Sequence, residues 1–294
     1  MTKHRPVLLR EVLDIVKPQP SEAYLDVTAG YGGHAQAILS DTKNPEDTIL
    51  IDRDSEAADE LKKLFGTSEA RIVNQDFLSA SKELAAGGKR FDIILADLGL
   101  SSPHLEDAGR GFSLKRPGPL DMRMDRRQEI TAADIVNSAS EGELTRIFSE
   151  YGEEPKSRQF ARRIVQSRPI KSTDQLAAIA ETLWRSSRQH PATRIFQAIR
   201  IAVNDELNQL EQALPLWLEM LTPGGRMVMI SFHSLEDRIV KRFFSDHSSS
   251  LLEGELRLLT KKPVTASNDE IVSNPRARSA KLRAAAKIKT KRKD

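Results

Sequence analysis

The chain has 294 residues, of which 39% are hydrophobic, and a formal net charge of only +3 at pH 7. This length suffices for one elaborated domain or two, and no apolar run approaches the roughly 20 residues that a membrane-spanning helix needs. The chain contains no cysteine, which excludes disulfides, thiolate zinc sites and cysteine nucleophiles.

The N-terminal stretch MTKHRPVLLREVLDIV has apolar residues at helical spacing, interrupted by proline and glutamate. It predicts an amphipathic helix, because a cleavable signal segment would have a continuous apolar stretch followed by a small-residue cleavage site. We therefore expect a cytoplasmic protein that does not bind a membrane.

Four short apolar runs alternate with helical stretches in the first hundred residues. The runs are AYLDVTA, DTILIDRD, ARIVNQDF and FDIILADLG, and helices are predicted over residues 55–65 and around residues 79–85. Nearly continuous apolar runs are typical of parallel strands that are buried on both faces. We predict an α/β fold with a doubly wound sheet, whose ligands bind outside the carboxyl ends of the strands.

Those strand ends carry a glycine turn, several acids and one aromatic residue. They are Gly30, Gly32, Gly33 and His34 after the first strand, Asp52 after the second, Asp76 and Phe77 after the third, and Asp97 after the fourth. The glycine turn surrounds one small space with backbone N–H groups and the positive end of a helix dipole.

Three ligands are candidates for this turn. A phosphate loop is excluded because no G-K-[ST] follows the glycines. A nicotinamide dinucleotide is compatible, because GYGGHA fits G-x-G-x-x-A and Asp52 lies 22 residues beyond Gly30, where a ribose-binding acid belongs. S-adenosylmethionine is favoured, because acids stabilise its positive sulfonium and would repel the two phosphates of a dinucleotide.

The segment DLGLSSPHLEDAGRGFSLKRPGPLDMRMD follows the fourth strand and is rich in glycine and proline, with few apolar anchors. Structureless loops of this length are usually functional lids or disordered segments, so we interpret it as a substrate-facing lid, with a plain surface loop as the alternative.

Basic residues are concentrated in two blocks. Residues 155–200 contain ten Lys or Arg against two acids, and residues 276–294 contain nine against one. Such blocks are typical of a polyanion-binding surface or, equally, of a solvated face and a disordered tail.

With these stretches taken together, the chain resembles the bacterial 16S ribosomal RNA cytosine-N4 methyltransferases, which methylate the base amine of cytosine 1402. The resemblance runs from Arg5 to Arg283 through HRPVLLREVL, D-x-T-x-G-x-GGH, LIDRD, DLGLSSP, RGFS with GPLDMRMD, YGEE, HPATRIFQAIRIAVNDEL, L-x-PGGR with ISFHSLEDRIVKRFF, and NPRARSAKLR. It implies S-adenosylmethionine as cofactor and 16S ribosomal RNA in the small ribosomal subunit as partner.

The resemblance also implies where the methyl donor binds. The corresponding positions here are Gly32, Gly33, His34, Asp52, Phe77, Asp97 and His104. His104 stands where the family usually has glutamine, and an imidazole forms fewer hydrogen bonds than an amide does.

Four segments after the fourth strand have helical periodicity, namely TAADIVN, SEGELTRIFSEYG, SRQFARRIVQS and TDQLAAIAETLWRSS. This periodicity predicts a packed helical unit, and the resemblance implies that it is inserted after the fourth strand. We expect a discontinuous methyltransferase domain, residues 1–112 and 205–294, and an inserted lid loop and helical domain, residues 113–204, whose ten basic residues favour RNA recognition over a plain structural role. Further along, LWLEMLTPGGRMVMISFHS predicts a helix, a tight turn and a fifth strand, and LEDRIVKRFF predicts a helix. GELRLLTKKP and KLRAAAKI predict a final hairpin.

Methylation of an amine requires acceptors that orient it and remove a proton. The candidates are Asp97, Asp121 and His233, and the candidate RNA contacts are Arg123, Arg126, Arg276 and Arg278. Methylation at cytosine C5 generally needs a cysteine nucleophile, so its absence favours the N4 amine. We identify no metal-ligand constellation.

The predicted function is therefore N4-methylation of a cytosine in 16S ribosomal RNA. The alternatives are an NAD(P)-dependent oxidoreductase and a methyltransferase that acts on another RNA amine. The sequence does not distinguish monomer from homodimer, or naked RNA from the assembled subunit as substrate.

Overall fold

A computed structural model describes residues 6–183, 190–248 and 254–288. They form two compact units: an α/β unit, with the chain up to Gly99 and from Leu207 onward, and a helical unit, Leu100–Glu206. The α/β unit thus ends before the predicted boundary at residue 112. The reason is that Leu105 and Phe112 pack against the core of the helical unit.

The helices and strands have the following bounds. The strands are β1 (Tyr24–Asp26), β2 (Thr48–Ile51), β3 (Arg71–Val73), β4 (Phe91–Asp97), β5 (Leu221–Ser231), β6 (Leu256–Leu258) and β7 (Lys281–Lys287). The helices are α1 (Leu9–Val16), α2 (Gly33–Thr42), α3 (Ser55–Phe65), α4 (Phe77–Ala86), α5 (Ser102–Glu106), α6 (Ala132–Ser138), α7 (Glu141–Glu150), α8 (Ser157–Gln166), α9 (Thr173–Leu183), α10 (Thr193–Asn204), α11 (Glu206–Met220), α12 (Ser234–Asp246) and α13 (Asn268–Ser273).

The seven strands form one sheet in the order β3-β2-β1-β4-β5-β7-β6. The first five strands pair in parallel, whereas β7 is antiparallel to both β5 and β6. The predicted doubly wound α/β fold and the predicted final hairpin are therefore confirmed.

The apolar runs are continuous because both faces of the sheet are covered. Ile49 and Ile51 of β2 belong to one core cluster, whereas Leu50 between them belongs to another. Ile94 and Leu95 of β4 divide in the same way, as the alternation of side chains along a strand requires.

The helix predicted over residues 55–65 coincides with α3. It begins after Asp54, whose carboxylate accepts a hydrogen bond from the backbone N–H of Glu56, and it buries Leu61 and Phe65. Asp76 caps α4 in the same manner by accepting from the N–H of Ser79. Such caps satisfy N–H groups that have no partner within the helix, which is why the acids stand at these positions.

The turn expected before the fifth strand lies inside β5. Phe91 pairs with Leu221 and Ile93 pairs with Arg226, so residues 222–225 bulge out of the register. Gly224 has a φ of 86°, a backbone conformation that favours glycine. The predicted tight turn therefore lies within β5 as a bulge, because Leu221 already pairs with β4 before it.

In the helical unit, α6, α7, α8 and α9 lie where the sequence predicts them. Their apolar faces meet α10 in one core, which includes Leu144, Phe148, Phe160, Ile164 and Ile199. The predicted continuation of α9 through residues 184–187 and the basic tail after residue 288 lie outside the described residues. In the described parts of the chain, no helix is both long enough and apolar enough to cross a bilayer.

Candidate active site

The candidate site lies at the carboxyl ends of β1 and β4, neighbours in the centre of the sheet. The helices that connect the strands change from one face of the sheet to the other at this point. Side chains of α2 and α3 belong to the core cluster on one face of the sheet, whereas those of α4 belong to the cluster on the other. In open α/β sheets such a reversal creates the crevice in which ligands bind.

Asp26 ends β1 and is buried, with 1% of its surface exposed. Its Oδ2 accepts a hydrogen bond from the Tyr24 hydroxyl at 2.7 Å, and its Oδ1 accepts one from the backbone N–H of Thr28 at 3.1 Å. Burial raises the pKa of Asp26 to about 7; these two hydrogen bonds act in the opposite direction and the Asp52 charge raises it further. Sequence reasoning missed Tyr24, although residues two apart on a strand share a face.

Asp97 ends β4 directly beside this segment. Its backbone N–H donates to Thr28 Oγ1 at 2.6 Å, which ties the two strand ends together. The Asp97 side chain is 23% exposed. Its Oδ1 is buried and has no hydrogen-bond partner among the described residues. A buried polar atom without a partner is uncommon in proteins and calls for an explanation, such as a ligand.

The electrostatic surroundings of Asp97 are mostly negative. Burial raises the pKa of Asp97 to about 7, Arg276 lowers it, and the charges of Asp26 and Glu236 raise it again. The carboxyl group is therefore divided between its neutral and ionised forms near pH 7, and a nearby cation would stabilise the ionised form.

His34 is the second residue of α2 and is 6% exposed. Its Nε2 lies 3.7 Å from Asp97 Oδ2. The structure therefore brings together three of the predicted features: the helix start after the glycine turn, the imidazole and the Asp97 carboxylate.

Asp52 is tied directly to the glycine turn. Its Oδ2 accepts a hydrogen bond from the N–H of Gly30 at 2.8 Å, and its Oδ1 accepts one from the N–H of Asp54 at 2.8 Å. The end of β2 and the turn after β1 are thereby held as one unit.

The three glycines of the turn have different neighbours. A Cβ on Gly32 would meet Leu64 and Phe65 at 2.9 Å, and a Cβ on Gly33 would collide with the ring of Pro6. A Cβ on Gly30 would meet nothing nearer than 3.9 Å, although its φ of 52° favours glycine. The paired glycines are thus required by the protein's own packing, whatever their backbone also contacts.

Phe77 begins α4, four residues after the end of β3. Its ring meets the ring of Trp217 edge-on, with centroids 5.5 Å apart. The Trp217 indole in turn donates to Ser81 Oγ at 2.7 Å. This packing fixes the aromatic ring at the strand end where the sequence predicts a platform for a ligand.

His233 has a structural role at the start of α12. Its Nδ1 accepts from the N–H of Glu236 at 3.4 Å, and its Nε2 lies 3.1 Å from Glu236 Oε1. Glu236 Oε2 accepts from the N–H groups of Phe232 and His233. This reciprocal pattern is a capping box, so His233 is engaged by its own helix, and its catalytic role stays a prediction.

The predicted RNA contacts Arg276 and Arg278 lie on a short 3-10 turn, Pro275–Ser279, just before β7. Ala277 and Ala280 anchor this turn in the core. Arg278 is exposed, whereas Arg276 is partly buried and its charge acts on Asp97. Sequence reasoning assigned both arginines to RNA and did not foresee the effect of Arg276 on the carboxylate.

The expected lid is not a loosely held loop. Within the helical unit, Leu120, Met122 and Met124 are buried in the core. The amide of Asn204 donates to the carbonyl oxygen of Met122 at 2.7 Å and accepts from the N–H of Met124 at 2.8 Å. The expectation of few apolar anchors was wrong: Leu120, Met122 and Met124 are buried in alternation with Asp121 and Arg123, a short pattern in an otherwise polar and proline-rich stretch.

Asp121 and Arg123 form a bidentate ion pair in this segment. Arg123 donates to the two carboxylate oxygens at 2.7 and 2.9 Å, and its guanidinium also donates to the carbonyl oxygens of Arg126 and Gln128. Partial burial acts to raise the pKa of Asp121, but the hydrogen bonds and charge of Arg123 outweigh it and the pKa is lowered. Neither side chain is available without breaking these contacts.

The remaining predicted residues also lie in the helical unit. Arg126 is 47% exposed and lies 3.7 Å from Asp107. His104 is buried; its Nδ1 accepts from the N–H of Ser101 at 3.4 Å and its ring packs on Phe112. The predicted contact of His104 with a methyl donor stays a prediction.

Comparisons with known proteins agree with one another. A model described as the MraW methylase family matches residues 1–288. The ribosomal RNA small subunit methyltransferase H of Cyanothece sp. is 48% identical over 287 residues, which cover 97% of this chain and 95% of that protein. The protein of the same name from Halothermothrix orenii is 44% identical over 309 residues, covering 98% and 99%.

Proposed function

The chain belongs to the MraW methylase family, and we propose that it methylates the N4 amine of cytosine 1402 in 16S ribosomal RNA. The coarser part of this function, methylation of small-subunit ribosomal RNA, agrees with the names of relatives at 44–48% identity. The choice of N4 is supported by the sequence resemblance and by the absence of cysteine. The oxidoreductase alternative is withdrawn, because the family is one of methylases.

The cofactor is S-adenosylmethionine, which supplies a methyl group on a positively charged sulfur. The residues at the ends of β1 and β4 fit this ligand. Asp97 Oδ1 is buried without a hydrogen-bond partner in the described chain, and Asp26 and Asp52 add negative charge nearby. A cation relieves this repulsion, whereas a dinucleotide diphosphate would increase it.

We assign the donor contacts to the residues that the resemblance indicates. The backbone of Gly32 and Gly33 and the His34 side chain border the ligand, and Asp52 accepts hydrogen bonds from the ribose hydroxyls. Each carboxylate oxygen has two lone pairs, so the existing bonds from Gly30 and Asp54 leave acceptor capacity on Asp52. Phe77 provides a ring face for the adenine, and His104 is the remaining assigned contact.

Asp97 is the best supported of the three candidate proton acceptors, and its partnerless oxygen is the observation that carries the assignment. The cytosine amine is a weak nucleophile because its lone pair is delocalised, so an acceptor must orient it and remove a proton. The pKa of Asp97, about 7, suits that task at neutral pH. Asp121 is paired with Arg123 and His233 caps α12, so both are already engaged.

Among the four candidate arginines, Arg126 and Arg278 are the most exposed and are assigned to the RNA backbone. Arg276 is instead positioned to hold the Asp97 charge. Arg123 supports the segment around Asp121 through its four hydrogen bonds.

The test is methyl transfer from labelled S-adenosylmethionine to small ribosomal subunits that lack the modification, with nucleoside analysis of the product. Asp97→Asn is compared with Asp59→Asn, a control acid whose side chain is 63% exposed on α3. We expect N4-methylcytidine from the wild type and the control, and none from Asp97→Asn. Label on another nucleoside would overturn the N4 assignment, and full activity of Asp97→Asn would overturn its role.

A further inference from the structure

A cleft in the helical unit combines an unusual charge composition with a defined shape. It has a volume of about 690 Å³ and is lined by α8, the residues just before it and the end of α9. Among the described residues that line it, four are basic, namely Lys156, Arg158, Arg162 and Arg163, and none is acidic. We name these four residues and the space between them the basic cleft.

Helix geometry explains why the charges are concentrated on one side. Phe160, Ala161 and Ile164 face the core of the helical unit. Arg158 and Arg162 are four residues apart, as are Gln159 and Arg163, so each pair lies on the same side of the helix, roughly 6 Å apart along the axis. The side of α8 that faces away from the core therefore carries two parallel polar rows.

Two arginines of the basic cleft have no acidic partner among the described residues. Within the described chain, Arg158 and Arg163 take part in no ion pair. Lys156 donates to the carbonyl oxygen of Leu183 at 2.8 Å, which holds its side chain at the edge of the cleft. Arg162 lies 3.6 Å from Glu141, but both side chains are well exposed, and such a pair contributes little in water.

Helix α8 differs from an ordinary solvated helix in its balance of acidic and basic residues. Its neighbour α7 interleaves Glu141, Glu143 and Glu150 with Arg146, which pairs with Glu150 at 3.0 Å. Helix α8 has three arginines and no acid. Arg158 and Arg162 are like charges four residues apart, which destabilise a helix slightly, and a bound anion would relieve this repulsion.

We propose that the basic cleft binds the sugar–phosphate backbone of the ribosomal RNA substrate. The proposal rests on the proposed function, which supplies the polyanion. Guanidinium groups donate hydrogen bonds in a planar fork that matches phosphate oxygens, and contacts of this kind position RNA without reading its sequence. The basic cleft adds affinity for RNA and has no part in binding the methyl donor.

The test compares two matched double variants. Arg158→Gln/Arg163→Gln removes two charges from the basic cleft, and Arg146→Gln/Lys171→Gln removes two exposed charges elsewhere in the helical unit. The wild type and both variants are titrated with 16S ribosomal RNA at several salt concentrations. Methyl transfer to small subunits and binding of S-adenosylmethionine are measured in parallel.

For the cleft variant we expect RNA binding to be at least about tenfold weaker at 0.1 M salt. The slope of the logarithm of the binding constant against the logarithm of the salt concentration should be shallower by about 1.4–1.8. Each lost phosphate contact removes about 0.7 from this slope on single strands and about 0.9 on duplex. The KM for RNA rises, whereas kcat, donor binding and the thermal midpoint stay at wild-type values. The control variant should behave almost like the wild type.

The experiment separates failure of the cleft assignment from failure of the proposed function. If the wild type methylates small-subunit RNA and both variants bind RNA equally well, the cleft assignment is wrong and the proposed function stands. If the wild type neither binds nor methylates this RNA, the proposed function fails and the assignment fails with it. A loss of donor binding in the cleft variant would also overturn the proposal, because it would show a general effect on the fold.

Discussion

Asp97 in the α/β unit and Asp121 in the helical unit are similarly enclosed, with 23% and 17% of their side chains exposed, yet their pKa values move in opposite directions. Burial among other acids raises the pKa of Asp97 to about 7. Asp121 is also affected by burial, but the two-pronged contact with Arg123 lowers its pKa. Burial is the largest single influence on both carboxyl groups, and only for Asp121 does a directly bonded arginine outweigh it, which leaves that carboxylate already engaged.

The same contrast extends to the units as a whole. In the α/β unit the strand ends hold Asp26, Asp52 and Asp97 around the glycine turn, and negative charge accumulates in a buried place. In the helical unit the acids near the lid segment are paired, and positive charge accumulates on the exposed side of α8. This division suits a cationic donor in one unit and a polyanionic substrate on the other.

The largest expected effect follows from Asp97→Asn. We expect kcat for methyl transfer to fall by roughly 10²–10⁴-fold, because the amide cannot accept the proton that the amine loses. Binding of the neutral product S-adenosylhomocysteine should change little. Steady-state kinetics and calorimetry on the same preparation separate the two effects, and a loss of product binding in parallel with kcat would show that Asp97 acts through ligand binding and not as the proton acceptor.

Asn204→Ala should produce the next largest effect, and it should be confined to the helical unit. The substitution removes the hydrogen bonds to the backbone of Met122 and Met124 and leaves those buried groups without partners. We expect unfolding free energy to fall by roughly 2–4 kcal/mol. Asn268→Ala on exposed α13 is the control in denaturant titrations, and equal stability of the two variants would show that Asn204 does not hold the segment.

The raised pKa of Asp26 predicts that the stability of the protein depends on pH. Its pKa is about 7 in the folded protein and about 3.9 when unfolded, so the folded state binds more protons and this contribution to stability decreases as pH rises from about 4 to about 7. Asp26→Asn should therefore gain stability relative to the wild type, by roughly 2–3 kcal/mol, between pH 5 and pH 8. Urea midpoints of the wild type and the variant at pH 5 and pH 8 check this. If the difference in stability between the two proteins is the same at both pH values, Asp26 has an ordinary pKa.

The smallest effect is expected for Asp121→Asn. Because the pKa of Asp121 is lowered, its ion pair stabilises the folded protein above the unfolded pKa, and this contribution is lost on acidification. We expect a loss of about 1 kcal/mol at pH 7, which disappears below about pH 3, and a fall in kcat of less than about tenfold. A fall as large as that of Asp97→Asn would make Asp121 the proton acceptor and reverse the comparison between the units.

The sequence predicted the α/β unit well because its signals are local. The apolar runs of β2 and β4 and the helical spacing of α3 are each contained in about ten residues. The acids at the strand ends could be located for the same reason, since parallel strands end on one edge of the sheet.

The lid segment could not be predicted in this way. Leu120, Met122 and Met124 alternate with polar residues over only five positions, and the amide that binds the backbone of the two methionines lies 80 residues beyond Met124. The effect of Arg276 on Asp97 likewise depends on strand β7 returning beside β5. Such contacts between distant segments leave no periodic pattern in the sequence.

The most direct test of the account is calorimetric binding of S-adenosylmethionine and S-adenosylhomocysteine between pH 5.5 and pH 8. If the carboxylates at the ends of β1 and β4 receive the positive sulfonium, affinity for S-adenosylmethionine rises by about tenfold as pH passes through about 7, and affinity for the neutral analogue stays nearly constant. Asp97→Asn should remove most of this difference. Equal pH dependence of the two ligands in the wild type would contradict the assignment of this site to the methyl donor.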